Sequence, residues 1–176
     1  MKLISFLIGF SIYFLKLSKS EELIFAQLYI RYGAKTPNSL FDKGEDKLKE
    51  KWTGRGELTG VGQRMEYILG LRNRQRYIID KFKFLSETFA PYELLILSSD
   101  KNRTILSMAS LLQGLYPLYS KKGEKLNSEQ IKMALPQVNV SSNEIQQEIG
   151  NLKDSALPNY MTLIPIHVIS PYEKKF

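Results

Sequence analysis

A short polar turn, YIRYGAKTP at residues 29–37, holds the side chains of this sequence that are best suited to chemistry. The guanidinium of Arg31 is a planar fork of donors that matches the oxygens of a phosphate or carboxylate group, and the ammonium of Lys35 adds a second positive charge. Between them, Tyr32 carries a phenol, which is mostly protonated near neutral pH. Gly33 predicts a backbone conformation that other residues resist. The turn therefore predicts an anion-binding site.

Three apolar segments predict the strands of a sheet that positions this turn. The segment LIFAQLYI, residues 23–30, is almost continuously apolar and leads directly into the turn, as expected for a strand covered on both faces. YELLILSS, residues 92–99, predicts a second buried strand. MTLIPIHVIS, residues 161–170, predicts a third strand, which Pro165 interrupts.

Two helices are predicted to pack on this sheet. Thr59 is placed to cap the first helix and Asp100 to cap the second, which ends at Pro117. Apolar residues recur with helical spacing in both, so each helix is expected to bury one stripe. The predicted stripes are Val61, Met65, Ile68 and Leu69 in the first helix, and Ile105, Met108, Ala109 and Leu112 in the second.

The alternation of strands and helices predicts an α/β fold with a parallel sheet. In such sheets the ligand site lies outside the carboxyl ends of the strands. The first two predicted strands end in RYGAKTP, residues 31–37, and SSDKNRT, residues 98–104. We therefore expect these two turns to line one crevice.

The composition is that of one globular domain, with 176 residues, 43% of them hydrophobic and 24% charged. The absence of cysteine excludes disulfides, cysteine nucleophiles and thiolate metal sites. No residue spacing implies a metal or an organic cofactor.

The first twenty residues have the features of a secretory signal peptide, which leaves residues 21–176 as the domain. Lys2 is followed by an apolar run from Leu3 to Leu15, and small residues flank Lys19 near the predicted cleavage site. This run is shorter than the about 20 residues that span a bilayer, so no stable membrane span is expected after cleavage. An uncleaved anchor is the alternative. Cleavage removes three lysines and lowers the net charge from +7 to +4.

Two N-x-[ST] sequons, at Asn102 and Asn139, are candidate glycosylation sites and agree with export to the secretory pathway, as a secreted protein or into a lysosome-like compartment.

Two other features have simpler explanations than a functional site. Arg72, Arg74 and Arg76 do not share one helix face and have no interleaved aromatic platform, so we expect a solvated helix surface and no nucleic-acid partner. His167 is the only histidine, and we expect it to be structural because the sequence places no acid partner or nucleophile with it.

Four segments, in order, resemble the signatures of the histidine acid phosphatases, which are secreted or lysosomal phosphomonoesterases with a phosphoglycerate-mutase-like α/β fold. RYGAKTP is similar to R-H-G-x-R-x-P, and WTGRGELTGVGQRMEYILG, residues 52–70, to W-x-x-G-x-G-x-L-T-x-x-G. LSSDKNRTILSMASLLQGLYP, residues 97–117, is similar to R-S-T-D-x-x-R-T-x-x-S-A, and LIPIHVIS, residues 163–170, to the P-V-H-T strand. The resemblance runs from residue 23 to about residue 170.

The resemblance implies a phosphate site with altered residues. The family uses a phosphorylated histidine nucleophile, arginines that bind the phosphoryl oxygens, and a distant His-Asp pair that protonates the leaving alcohol. Arg31 matches the first phosphate-binding arginine, whereas Tyr32 occupies the nucleophile position. Lys35 replaces the second arginine and Leu97 the third, which removes one positive charge.

Three functions remain open on this basis. The one we favour is an exported, catalytically inactive relative that binds a phosphorylated small molecule, a phosphate anion or a protein partner. An active acid phosphatase with an unusual site is the second. The third is a truncated product, because the resemblance implies that the domain is incomplete at its C-terminal end and lacks the His-Asp pair.

Overall fold

The computed structural model describes residues 22–39, 54–80, 82–120, 122–135 and 142–169. The predicted signal peptide, Trp52 and Asn139 lie outside these ranges. The helices are α1 at Gly60–Arg74, followed by a π-helical turn at Gln75–Ile79, then α2 at Asn102–Leu115, α3 at Ser128–Met133 and α4 at Asn143–Leu152. The strands are β1 at Leu97–Ser99 and β2 at His167–Ile169, and short 3₁₀ turns lie at Leu118–Ser120 and Pro158–Tyr160.

The two strands pair in parallel, with Leu97 opposite His167 and Ser99 opposite Ile169. This confirms the predicted α/β class with a parallel sheet, although both strands are shorter than predicted. A core of buried residues lies beside them and joins β1 to the ends of the two long helices. It consists of Ile78, Leu85, Ile96, Leu112, Leu115 and Tyr116, with Ile164 and Ile166 packed against it.

The first predicted strand, residues 23–30, is not a strand in the structure. The backbone of residues 22–33 has no strand assignment, and Ile24 and Tyr29 are 85% and 89% exposed. A strand needs a neighbouring backbone to satisfy its N–H and C=O groups, and no strand of the described ranges pairs with this segment. Its apolar composition therefore did not suffice to predict its structure.

Helix α1 begins as predicted, because the Thr59 hydroxyl accepts a hydrogen bond from the Gly62 N–H. Its predicted buried stripe is wrong: Val61, Met65 and Ile68 are exposed. The residues that α1 buries are Gly62, Glu66, Gly70 and Arg74.

Glycine contacts explain why α1 buries this other face. A Cβ added at Gly70 would collide with the Leu111 carbonyl of α2, and one at Gly114 would collide with the Tyr67 carbonyl of α1. The two helices thus approach backbone to backbone, at a face that an apolar pattern does not reveal.

Arg74 is buried at the end of the same contact. Its Nη1 donates to the Leu115 carbonyl at 3.0 Å, so the prediction of a solvated arginine is wrong at this residue.

Helix α2 matches its prediction at one end only. It ends at Leu115, just before the buried Pro117, and Leu112 is fully buried while Ile105, Met108 and Ala109 are half-buried. At its start, the capping position belongs to Lys101 and no side chain bonds the free N–H groups, so the predicted Asp100 cap is wrong. The Thr104 hydroxyl instead lies 2.8 Å from the carbonyl oxygens of both Ser99 and Lys101, between which its one proton is shared, and ties the first turn of α2 to β1.

Among the described residues, no helix combines the length and the apolar character that a membrane crossing requires.

Candidate anion-binding crevice

The polar turn at residues 31–37 is held against the start of α1 by hydrogen bonds. The Thr36 hydroxyl donates to the Gly54 carbonyl at 3.1 Å and accepts from the Glu57 N–H at 2.9 Å. The Thr59 hydroxyl, which caps α1, also donates to the Ala34 carbonyl at 2.8 Å. The same threonine therefore positions both the helix and the turn.

Gly33 makes the closest approach between this turn and α1. A Cβ at Gly33 would lie 2.5 Å from the Gly62 carbonyl oxygen, closer than two such atoms come in proteins. Gly33 does not have the positive φ that is found at Gly54 and Gly56. The prediction that Gly33 supplies a backbone conformation that other residues resist is therefore wrong. It is required for space rather than for backbone conformation.

The Gly33 N–H also connects the turn to α2, since it donates to the Ser107 hydroxyl at 3.1 Å in a buried setting. The two turns that were expected to share one crevice do so. The crevice is lined by Ile30, Arg31, Tyr32, Leu97, Ser98, Ser99, Thr104, Ser107 and Met108. Its volume of about 120 Å³ is roughly four times the ~30 Å³ of a liquid water molecule. It has room for a small anion but not for a typical organic cofactor, which needs about 300 Å³ or more.

Two guanidinium groups lie close to the Tyr32 ring. The Cζ atom of Arg31 is 5.3 Å from the centre of the Tyr32 ring, and that of Arg103 is 4.9 Å from it. A hydrogen bond from Arg31 lowers the pKa of the Tyr32 phenol, with smaller contributions from the charges of Arg31, Arg103 and Lys35. The positive charges favour the phenolate, which is the nucleophilic form.

Arg103, in the turn SSDKNRT, is a further charged residue near this ring. Its Nε is buried and makes no hydrogen bond to any described residue. Arg103 does not line the crevice, so its contribution there is a positive charge beside the Tyr32 ring. The sequence signal for its place near the site was its position in SSDKNRT, the turn that was predicted to line one crevice with RYGAKTP.

The other predicted site residues lie at different distances from the crevice. Lys35 donates from Nζ to the Asn38 side chain at 2.8 Å and to the Thr36 carbonyl at 3.1 Å, and it does not line the crevice. Leu97 does line it and is 50% exposed, so an apolar side chain stands where the resemblance places an arginine.

Asn102 is exposed in the first turn of α2. The side chain of His167 is exposed at the start of β2, and its backbone N–H donates to the Ile96 carbonyl at 3.0 Å. No group of three or more histidine, aspartate or glutamate side chains that could hold a metal ion occurs within the described ranges.

Comparison with known proteins gives consistent matches. The histidine phosphatase superfamily (branch 2) matches residues 13–165. The lysosomal acid phosphatase of Xenopus laevis is 35% identical over 101 residues, which are 57% of this chain and 22% of that protein. That of Rattus norvegicus is 32% identical over 116 residues, 65% of this chain and 26% of that protein. The prostatic acid phosphatase of Homo sapiens is 36% identical over 100 residues, 56% of this chain and 24% of that protein. The matched part of the chain spans about a quarter of the length of these relatives.

Proposed function

The chain belongs to branch 2 of the histidine phosphatase superfamily, and from this premise we propose that it is an exported member that binds phosphate or phosphate monoesters in the crevice without hydrolysing them. Its helices and small parallel sheet agree with the α/β, phosphoglycerate-mutase-like fold of that family. In this proposal residues 21–176 are the N-terminal part of a domain of this family, and residues 1–20 are a cleaved signal peptide.

The observation that carries the proposal is Tyr32 in the crevice at the position of the family nucleophile. Catalytic turnover needs a group that attacks phosphorus and then leaves it again. An imidazole does both near neutral pH, whereas a phenol with an ordinary pKa of about 10 is a poor nucleophile when protonated and a poor leaving group once phosphorylated. A phosphate site that has this substitution retains binding more readily than turnover.

Binding rests on the positive charges that remain around Tyr32. Arg31 lines the crevice, so its guanidinium can donate to phosphoryl oxygens, and the guanidinium of Arg103, 4.9 Å from the centre of the Tyr32 ring, adds a positive charge nearby. Leu97 supplies no such donor. A hydrogen bond from a charged group is worth about 1.5–3 kcal/mol, so we expect phosphate to bind roughly 10- to 150-fold more weakly than with an arginine at this position.

Export to a secreted or lysosome-like destination is part of the proposal. It is supported by the apolar N-terminal run with Lys2, by the exposed sequon at Asn102, and by relatives that are named lysosomal acid phosphatases. Expression in a secretory cell line, followed by N-terminal sequencing and glycosidase treatment of the medium fraction, tests it. A product that stays in the cytosol with its first twenty residues would refute it.

One observation favours an active acid phosphatase instead. Arg31 lowers the pKa of Tyr32, which increases the fraction of reactive phenolate. Under this alternative, turnover depends on the Tyr32 oxygen.

Two measurements on the full chain decide between these functions. The first is hydrolysis of 4-nitrophenyl phosphate at acid pH, where we expect no multiple turnover; turnover that Tyr32→Phe abolishes would establish the alternative. The second is binding of inorganic phosphate, measured by ³¹P NMR line broadening.

We expect Arg31→Gln to weaken phosphate binding roughly 10-fold or more. Arg72→Gln is the matched control, because Arg72 is exposed and lies ten residues beyond Gly62 on α1, about 15 Å along the helix. Equal effects of both substitutions would show that the crevice is not the binding site.

A further inference from the structure

The wall of the crevice combines a charged and an apolar part. The charged part comes from the polar turn, because Arg31 is exposed there and is the one positively charged side chain among the described residues that line the crevice. The apolar part consists of Leu97 from β1, Met108 from α2 and Ile30 just before the turn. A ligand that fills this space of about 120 Å³ therefore meets both a cation and hydrocarbon.

The hydroxyl groups of the wall are engaged in hydrogen bonds within the protein. Ser98 donates from Oγ to the Ser99 carbonyl at 3.1 Å, and the hydroxyls of Ser99 and Thr104 lie 3.0 Å apart. The Ser107 hydroxyl accepts from the Gly33 N–H at 3.1 Å. These bonds use part of the capacity of each hydroxyl, so the main donor to a bound anion is the charged guanidinium in the turn.

Leu97 offers the most accessible apolar surface of this wall. It is 50% exposed, whereas Met108 and Ile30 are more deeply buried. Side chains alternate along β1, so Leu97 and Ser99 share the exposed face and Ser98 is buried on the other. Apolar surface that lies accessible beside a cation is stabilised when the apolar part of a ligand covers it.

The shape of the anion decides which ligands gain from this contact. Inorganic phosphate presents oxygen on all four sides of phosphorus, and an oxygen turned toward Leu97 loses water without gaining a hydrogen bond. A phosphoryl group that carries an apolar substituent can instead turn that substituent toward Leu97 and its oxygens toward Arg31. The wall thus favours such a ligand over the free anion.

We propose that Leu97 determines the specificity of the crevice, which selects phosphoryl ligands with an apolar substituent over inorganic phosphate and over ligands with a polar substituent of the same size. The inference rests on the proposed function, because the phosphoryl group must bind in the crevice. It goes further by naming the class of ligand and the residue that selects it. An apolar side chain at the position that the resemblance gives to an arginine thus changes what the site prefers, besides weakening its hold on phosphate.

The size of the preference follows from the exposure of Leu97. Complete burial of a leucine side chain corresponds to roughly 10- to 150-fold in affinity. About half of this side chain is already covered by the protein. We therefore expect a preference of about 3- to 10-fold for the apolar substituent.

Two probes of equal size measure this preference on the full chain. Propylphosphonate and 2-hydroxyethylphosphonate have equal numbers of non-hydrogen atoms, and in both the phosphorus is bonded to carbon, so a phosphatase reaction cannot remove the substituent. Their affinities are measured by ³¹P NMR line broadening, with inorganic phosphate as the reference. We expect propylphosphonate to bind about 3- to 10-fold more tightly than 2-hydroxyethylphosphonate.

Variants assign the preference to one side chain. Leu97→Ala should bring the ratio of the two affinities close to one. The matched control Leu95→Ala should keep the ratio, because Leu95 is 72% exposed two residues earlier in the chain and does not line the crevice. Leu97→Met conserves volume and apolar character and should keep it as well. Circular dichroism checks the folding of each variant, and Leu97→Asn, which is similar in shape, replaces Leu97→Ala if that variant unfolds.

Each outcome bears on the inference or on the function beneath it. If phosphate binds in a manner that Arg31→Gln weakens, but the two phosphonates bind equally, the inference is wrong and the proposed function stands. If neither phosphate nor the phosphonates bind, both are wrong. Equal loss of the preference in Leu95→Ala and Leu97→Ala, or its loss in Leu97→Met, overturns the role of Leu97.

Discussion

Replacing Gly33 by alanine tests the contact that positions the crevice. The new Cβ would lie 2.5, 2.8 and 2.9 Å from the carbonyl oxygen, Cα and carbonyl carbon of Gly62. All three are backbone atoms of α1 and cannot move as a flexible side chain does, so the turn must shift away from the helix. The shift strains the 3.1 Å hydrogen bond from the Gly33 N–H to Ser107.

The cost can be estimated from these two effects. Overpacking of a tight contact costs about 1–3 kcal/mol, and loss of one buried hydrogen bond costs about 1 kcal/mol. We therefore expect Gly33→Ala to lower the free energy of unfolding by about 2–4 kcal/mol. In a chain of this size, that is a decrease in Tm of roughly 4–16 °C. Phosphate binding should weaken with it, because the same turn carries Arg31 and Tyr32.

Gly150→Ala is the matched control. Gly150 lies in α4 with no atom within 4 Å of a Cβ added to it, so the same chemical change should stabilise the chain by about 0.5–1 kcal/mol. Thermal and urea unfolding, followed by circular dichroism, measure both variants. A Gly33→Ala protein that unfolds within about 0.5 kcal/mol of the original, while Gly150→Ala behaves as expected, would show that the turn does not pack on α1 in this way.

Three further predictions concern α1, α2 and β1. Glu66 is 5% exposed, its Oε2 has no hydrogen-bond partner among the described residues, and burial raises its pKa. Its contribution to stability is therefore fully present below the ordinary glutamate pKa and is lost as pH rises through the raised value. Glu66→Gln should flatten this part of the dependence of Tm on pH, and an unchanged profile would contradict the assignment. Ser107→Ala leaves the buried Gly33 N–H without an acceptor and should cost about 1–3 kcal/mol in urea unfolding; a loss under about 0.5 kcal/mol would argue against a buried bond. Leu97→Arg adds a charged donor to the crevice wall and should tighten phosphate binding roughly 10-fold or more by ³¹P NMR, whereas unchanged affinity would show that position 97 does not reach the anion.

Local signals in the sequence predicted several features correctly. Thr59 caps α1 and α2 ends just before Pro117, as predicted. Within the predicted strands at residues 92–99 and 161–170, residues 97–99 and 167–169 form parallel strands. The joining of RYGAKTP and SSDKNRT in one crevice was also predicted correctly, although the segment before RYGAKTP is not a strand in the structure. These features depend on neighbouring residues or on the order of elements, which the sequence contains.

Features that depend on approach between distant backbones could not be predicted in the same way. The apolar stripe of α1 indicated Val61, Met65 and Ile68 as buried, but the glycines at 70 and 114 bring α1 and α2 together along another face. Burial of Arg74 follows from the same contact, because its guanidinium reaches the Leu115 carbonyl at the end of α2.

The sequence by itself determined the family and the α/β class, since both follow from residue types and their order, and from the same motifs it predicts which site residues are altered. Only the tertiary structure decided that Gly33 is required for space, that Arg103 lies against Tyr32, and that Lys35 bonds to Asn38 outside the crevice wall. These are distances between residues far apart in the chain or choices of side-chain direction. They are set by how closely α1, α2 and the polar turn pack, and no local pattern records that.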